Sequence, residues 1–538
     1  MSKKKMIILG VEEDENGQEN KIGLPLKDLT THGFMFGTTG SGKSTALLNL
    51  ALQTFDLGAS TAILEPHGDL CLDALKSIPD GALDRVVYLA FDGPQLPSIP
   101  LMTLGLGGGI DVAVGAAMSV MRMAEPGSWD QSTRMREVLR HSSRVILDAL
   151  GWQASILALD RFLTASESAF RDRILSKVSD ENSRSRDYCQ YEVAAALDGE
   201  KKGGAGMKES VLGAQRRLEI FVTDRRFRRS LALPALGPRI NISRMLAGNK
   251  LLLLPVNKAE LGGKVSGLVS MLFMQMVQSA FLSRTDRSQR NQAVIIIDEF
   301  AAMAGAESGG KEVAEITNVL LAEARKFGAS VMLATQSAEQ LGPDVRKKVA
   351  INTNQKIILL VSDPGEANQA ATILGDERIN DTDIRAIPRF HGYVKVMVDK
   401  QPMPPTLLKM LPPVRLEEEP AYFASPERPE VSSEWKKIRE LAKDAFDPDS
   451  AVDNVPVIQH LRKVDDDTWA QVVHDAVNWN RYQAGRFLAD PQLEPDRIKR
   501  AKKISRALYA LPWWLREAHY WREKTQGKRK GRPAKGRK

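Results

Sequence analysis

Short apolar runs of strand length alternate with stretches of helical spacing along this chain. Met6-Ile7-Ile8-Leu9-Gly10, Gly33-Phe34-Met35-Phe36, Thr61-Ala62-Ile63-Leu64 and residues 86–90 read as strands, with a helix over 45–54 between the second and third. The acidic, glycine-containing stretch 12–20 reads as a turn or exposed loop, and 24–30 leads into the second run. From about Leu106 the period changes. Met135, Val138, Leu139, Val145, Ile146 and Leu150 recur at helical spacing, with Asp130 as candidate N-cap. Helical pattern continues through 154–163, 169–178 and 210–222, around a flexible loop at 201–206. Strand pattern returns at 250–256, in Ala293-Val294-Ile295-Ile296-Ile297, and at 330–334, 356–361 and 392–398. Residues 267–282 read as a buried helix, and 311–327 as a helix stopped by Gly328. This alternation predicts an α/β fold with a parallel sheet whose ligand edge lies at the carboxyl ends of the strands. The all-helical segment 106–245 is read as inserted between its two halves.

Two strand ends carry candidate chemistry. After residues 33–36 comes Gly37-Thr38-Thr39-Gly40-Ser41-Gly42-Lys43-Ser44-Thr45, which fits G-x-x-x-x-G-K-[ST]. Strand, glycine loop and helix follow in the order a phosphate cradle requires. Glycines let the backbone wrap an anion, and the N-terminus of the next helix faces it. Lys43 is placed to reach the β- and γ-phosphates of a nucleoside triphosphate, and the Ser44 hydroxyl to reach Mg²⁺. After residues 293–297 come Asp298 and Glu299. Two acids leaving a buried strand are costly unless a cation meets them. Asp298 is expected to hold the metal's shell, and Glu299 to orient the attacking water. Thr335-Gln336-Ser337 ends a further strand, where a polar side chain can sense the γ-phosphate. Glu65-Pro66-His67-Gly68-Asp69 closes another. Asn257-Lys258-Ala259-Glu260 approaches the guanine-reading N-K-x-D pattern but ends in Glu, and four-residue matches are common.

Composition adds constraints. With 43% apolar and 26% charged residues, the 538-residue chain is ordinary for a globular protein. Of its formal charge of +8, the whole excess sits at 524–538, which holds eight Lys or Arg and no acid. That tail reads as disordered and able to make salt-sensitive phosphate contacts. Its Lys530-Gly531-Arg532-Pro533 is similar to the core of minor-groove AT-hooks. Cys71 and Cys189 alone give no disulfide framework or metal spacing, which fits a reducing cytosol. No stretch reads as a signal peptide or spanning helix, so a cytoplasmic protein is expected, peripheral to the inner membrane only through partners. Residues 402–413, with five prolines, read as a boundary. Six of eight tryptophans follow it: Trp435, Trp469, Trp479, Trp513, Trp514 and Trp521. They read mainly as the core of a small helical region, with base stacking weighed for Trp513 and Trp514. Arg216, Arg217, Arg225, Arg226, Arg228 and Arg229 around Phe227 read equally as a solvated helix face or a nucleic-acid contact.

The runs His32 to Thr45 and Ile63 to Leu70 resemble the HerA–FtsK superfamily of hexameric motor ATPases. So do Val294 to Phe300, Glu323 to Gly328 and Leu333 to Ser337. Within it the chain is most similar to the conjugative type IV coupling proteins of TraG/TraD kind, over about residues 1–412. The resemblance implies a RecA-like P-loop core with first half 1–105 and second half 246–412. Around it lie the inserted all-α domain 106–245, a Trp-rich helical region 413–523 and the basic tail 524–538. It further implies ATP and Mg²⁺ as cofactors, a homohexamer, Gln336 as sensor and Arg325 as the arginine reaching a neighbour's γ-phosphate. DNA held mostly through its backbone, and a relaxase or secretion channel, are the implied partners. The chain departs from the family in lacking an N-terminal transmembrane region and in carrying Glu at 65 where many members have Asp. The reading is an ATP-dependent DNA translocase. The alternatives are a secretion ATPase of the same superfamily for protein export or pilus assembly, and a DNA-binding scaffold or defence component using ATP as an assembly switch.

Overall fold

The structure is a computed structural model that describes residues 5–13, 18–91, 96–124, 129–198, 204–234, 236, 240–282, 291–304, 310–416, 424–442 and 455–529. The chain folds as two compact units. The first comprises Met1–Ala90, Asn241–Phe423 and Asp490–Ser505, and the second Phe91–Ile240, Ala424–Ala489 and Arg506–Lys538.

The first unit is built on an 11-stranded sheet. Its strands are β1 (Met6–Glu13), β2 (Glu19–Pro25), β3 (Gly33–Phe36), β4 (Ser60–Glu65), β5 (Val86–Tyr88), β6 (Leu251–Pro255), β7 (Ala293–Ile297), β8 (Ala329–Thr335), β9 (Gln355–Leu359), β10 (His391–Lys395) and, after the small ribbon β11 (Met397–Val398) and β12 (Gln401–Pro402), β13 (Thr406–Met410). Their order is β2-β1-β13-β10-β9-β3-β8-β7-β4-β6-β5. From β9 to β5 all pairings are parallel; β10, β13, β1 and β2 continue the sheet antiparallel. Composition accounts for this split. β3, β4, β6, β7 and β8 are buried at every position, as unbroken apolar runs covered on both faces must be. β10, by contrast, alternates between buried and half-buried positions.

Registers Phe36↔Thr335, Leu333↔Ile297 and Ile297↔Leu64 bring the carboxyl ends of β3, β8, β7 and β4 to one edge. The loops that leave them carry the candidate chemistry. The proline-rich stretch, expected as a boundary, contains β13, a strand between β1 and β10. Beyond it Asn49 binds the carbonyls of Leu411 and Pro412 and accepts from the Val414 N–H. The segment Asp490–Ser505 belongs to this unit too. Ser505 Oγ accepts the N–H of Tyr88 on edge strand β5 at 2.8 Å, and Arg500 pairs with Asp80. A side chain thereby satisfies an edge N–H that would otherwise face an exposed sheet margin.

The second unit is helical. Chief among its helices are Ile110–Ala124, Thr133–Leu150, Ile156–Phe162, Gly204–Thr223, Asp466–Ala489 and Trp513–Arg529. The cap expected at Asp130 is instead position Ser132, whose side chain makes no capping bond. Sequence after residue 423 is integral here. Trp435, Ile458, Leu461, Val472, Trp513, Trp514 and Leu515 share one core, against which Leu236 also packs. Trp513 and Trp514 are 4% and 3% exposed, so they are core residues with no face free for a base, which corrects the stacking reading. The arginine run is largely spent inside the unit. Arg217 is buried, with Nε on Met135 Sδ at 3.0 Å and its guanidinium over Trp129. Arg228 pairs with Glu517 at 2.6 Å, Arg229 covers the Trp513 ring at 3.7 Å, and Arg226 pairs with Asp224. Arg216 and Arg225 alone of the six are exposed. The last helix is assigned to Arg529; the AT-hook-like Lys530–Pro533 and the rest of the tail lie outside the described residues.

Candidate functional site: a phosphate loop facing an acid pair

The loop between β3 and helix α1 (Lys43–Asp56) is shaped by three glycines. Gly40 and Gly42 have φ of 78° and 103°, backbone that side chains with a Cβ resist. Gly37 is required for a different reason: a Cβ there would lie 2.6 Å from Ser41 Oγ and 2.8 Å from Leu359 Cβ. The loop is anchored to the neighbours of β3, with Gly37 N donating to Thr335 O, and Thr38 donating through N and Oγ1 to Leu360 O. Gly42 provides no capping side chain, so the first-turn N–H groups of α1 keep the donors that a helix leaves unspent. Ser41 Oγ is buried without a hydrogen-bond partner. A cradle of unspent donors with an orphaned buried hydroxyl fits an anionic phosphate chain.

Lys43 is 5% exposed and reaches across to β7. Its Nζ donates to Asp298 Oδ1 at 2.5 Å and Glu299 Oε1 at 2.6 Å. Gln336, at the end of β8, donates from Nε2 to the same Glu299 oxygen and accepts from Thr39 Oγ1 at 2.5 Å. Phosphate loop, acid pair and β8 glutamine therefore form one hydrogen-bonded cluster within a single chain. Glu299 sits at φ 49°, left-handed backbone that costs a non-glycine residue about 1–2 kcal/mol, and its N–H donates to Asp298 Oδ1 at 2.9 Å. That turn directs both carboxylates to one lysine. Ser44 is exposed beside Lys43 in the first turn of α1, and Thr45 is half-buried there. One cation faces two carboxylates, an excess of negative charge that suits a metal ion more than a bare polyanion. Among the described residues no group of three or more His, Cys, Asp or Glu is placed to hold a metal alone. Mg²⁺ held by one carboxylate, a hydroxyl and substrate phosphates requires no such group.

Glu65 ends β4 beside this cluster. Its oxygens accept from Leu70 N at 3.0 Å and Cys71 N at 3.4 Å, at the start of helix α2 (Asp69–Ser77). Burial, assisted by the charge of Asp298, pushes its pKa up to about 7. Arg325 stands elsewhere. It is exposed in the 3₁₀ turn Ala324–Phe327 ahead of β8, close enough to His32, just before β3, for its charge to join burial in lowering that imidazole to about 4. The His32 ring accepts the Val331 N–H through Nδ1 at 3.1 Å. Arg325 thus lies at the amino edge of the sheet and Lys43 at the carboxyl edge, and within one chain they do not meet. Asn257 spends its side-chain oxygen capping the short helix Lys258–Leu261 through Ala259 N, so the guanine-reading pattern finds another use. Sequence reasoning passed over two features: the bond between Thr39 and Gln336, whose members lie 297 residues apart, and Phe390, whose ring abuts Gly42.

Residues 249–387 match the family described as the type IV secretion-system coupling protein DNA-binding domain. No curated protein sequence matches the chain. Among solved structures, the bacterial conjugative coupling protein TrwBdeltaN70, in a trigonal form with sulphate, is similar over 74% of this chain and 90% of its own, at 15% identity and a TM-score of 0.50. TrwB in complex with ADP and Mg²⁺ is similar over 74% and 89%, at 16% identity and a TM-score of 0.44. VirB4 of Thermoanaerobacter pseudethanolicus is similar over 77% and 97%, at 14% identity and a TM-score of 0.47. No helix among the described residues is long and apolar enough to cross a membrane. The matched domain spans β6 to β9 and carries the acid pair that faces the phosphate loop across the sheet edge, and the fold is similar to that of the conjugative coupling protein TrwBdeltaN70.

Proposed function

We propose that this chain hydrolyses ATP with Mg²⁺ and, as a ring of six, uses the energy to move DNA. The observation that carries the reading is the cluster in which Lys43 bridges Asp298 and Glu299 while Gln336 binds Glu299 and the phosphate loop. Gly37, Thr38, Thr39, Gly40, Ser41, Gly42, Lys43, Ser44 and Thr45 hold the phosphates, with Lys43 exchanging its carboxylate partners for the β- and γ-oxygens. Ser44 and Asp298 hold Mg²⁺, which when bound neutralises charge developing on the phosphates. Glu299, released from Lys43, orients the water that attacks. Gln336 links that carboxylate to the loop, so it registers whether the γ-phosphate is present. Arg325, on the far edge of the sheet, serves a neighbouring protomer's nucleotide, which makes turnover depend on assembly. DNA is gripped through its backbone without reading sequence, aided by the basic tail. Residues 1–105 and 246–412 form the motor halves in this reading, with 106–245 inserted between them.

ATP turnover against protein concentration, with and without single- and double-stranded DNA and with Glu299→Gln as blank, tests the proposal. Turnover that rises cooperatively with protein and several-fold with DNA is expected. DNA-indifferent turnover would favour a secretion ATPase, and binding with almost no hydrolysis an assembly switch.

A further inference from the structure

Phe390 lies in the turn between the helix Asp381–Arg385 and β10 and takes no part in the core. The residue is 51% exposed although its backbone is held at φ 62°, left-handed geometry that a bulky residue adopts only where its surroundings impose it. Two bonds pin the turn. Met410 N donates to Phe390 O at 2.8 Å, and His391 N donates to Pro388 O at 3.0 Å. The held ring abuts the phosphate loop: a methyl group on Gly42 would lie 3.4 Å from Phe390 Cδ1, van der Waals contact. The Arg389 guanidinium stands 4.8 Å from the ring centroid. An exposed aromatic held in strained backbone beside the last glycine of a phosphate cradle does little for the fold but offers a flat apolar face to whatever extends from the phosphates.

We propose that Phe390 is the stacking platform for the base of the bound nucleotide, with Arg389 steadying the ring from its face. The inference rests on the phosphate-loop reading and deepens it by naming the subsite for the purine end of the substrate. Stacking on an aromatic ring tolerates any base, so the site would favour nucleotides over inorganic polyphosphates more than it would separate one purine from another.

The test is equilibrium binding of Mg·ATP and of Mg·tripolyphosphate, which has phosphates but no base, to the full chain and its variants. Phe390→Ala should weaken ATP binding about tenfold or more while leaving tripolyphosphate within about twofold. Phe390→Leu, which keeps apolar bulk against Gly42 without a π-face, should behave like the alanine variant, and Phe390→Tyr should restore ATP affinity. Lys43→Ala should lose both ligands. Unchanged ATP affinity in Phe390→Ala or Phe390→Leu would overturn the proposal, as would equal weakening of both ligands, which would mark the ring as a prop for the loop. A wild-type chain that binds neither ligand would overturn the phosphate-loop reading and the base platform with it.

Discussion

Lys43→Ala should destabilise the first unit before any nucleotide is present. Lys43 Nζ donates at 2.5 and 2.6 Å to two carboxylates whose side chains are 8% and 12% exposed, and it is 5% exposed itself. Removing it leaves Asp298 and Glu299 close together, buried and of like charge, with Gln336 Nε2 still donating to Glu299. Loss of one partner from a buried ion pair costs about 3–5 kcal/mol, a large share of a typical domain stability of ~5–15 kcal/mol. Part of the cost should be recovered in Lys43→Ala combined with Asp298→Asn, because the penalty comes from the stranded charge rather than from lost packing. All eight tryptophans lie in the second unit, so their fluorescence does not report on this site. Amide hydrogen exchange in β3, β7 and β8 does. Opening free energies lowered by several kcal/mol in the single variant and partly restored in the double one are expected. Exchange there within about 0.5 kcal/mol of wild type, a margin typical of substitutions that touch no buried feature, would refute the argument. Normal ATP hydrolysis by Lys43→Ala would remove the phosphate-loop assignment as well.

Gly37→Ala drives a Cβ into Ser41 Oγ and Leu359 Cβ. It should cost about 1–3 kcal/mol and cut ATP affinity at least about tenfold, read by denaturation and calorimetric titration. Glu65 has its folded pKa raised from 4.5 to about 7, so the folded state keeps a proton that the unfolded chain releases. Stability therefore falls as pH climbs from about 4.5 to 7, and the penalty is complete above that. Glu65→Gln should gain up to roughly 3 kcal/mol at pH 8, with little difference from wild type near pH 4.5; a gain that is the same at both pH values would contradict this. Glu517 is fully buried and accepts from Arg228 at 2.6 Å and from Trp521 Nε1 at 3.1 Å. Glu517→Ala should destabilise the second unit by about 3–5 kcal/mol, seen directly in tryptophan fluorescence.

Much of the site could be read along the chain because its parts are local. A glycine loop between an apolar run and a helix, and two acids after five buried positions, are signals written within ten residues. Fold class follows from the same kind of signal, since unbroken apolar runs alternating with helical stretches have few ways to bury themselves other than a parallel sheet. Such patterns report how much of each segment is buried, but they are silent on which segment lies next to it.

Strand order decided the rest. Placing β8 between β3 and β7 set Gln336 between the phosphate loop and Glu299, across 297 and 37 residues. Entry of β8 from the amino edge left Arg325 on the side opposite Lys43. Tertiary packing also made β13 from a proline-rich stretch, buried Trp513 and Trp514, and spent Arg228 and Arg229 on internal partners. Phe390 reached Gly42 because β9 and β10 carry the chain back beside β3. The sequence by itself determined the local chemistry and the burial of each segment. Only the tertiary structure, through pairings between residues far apart in the chain, determined which groups meet.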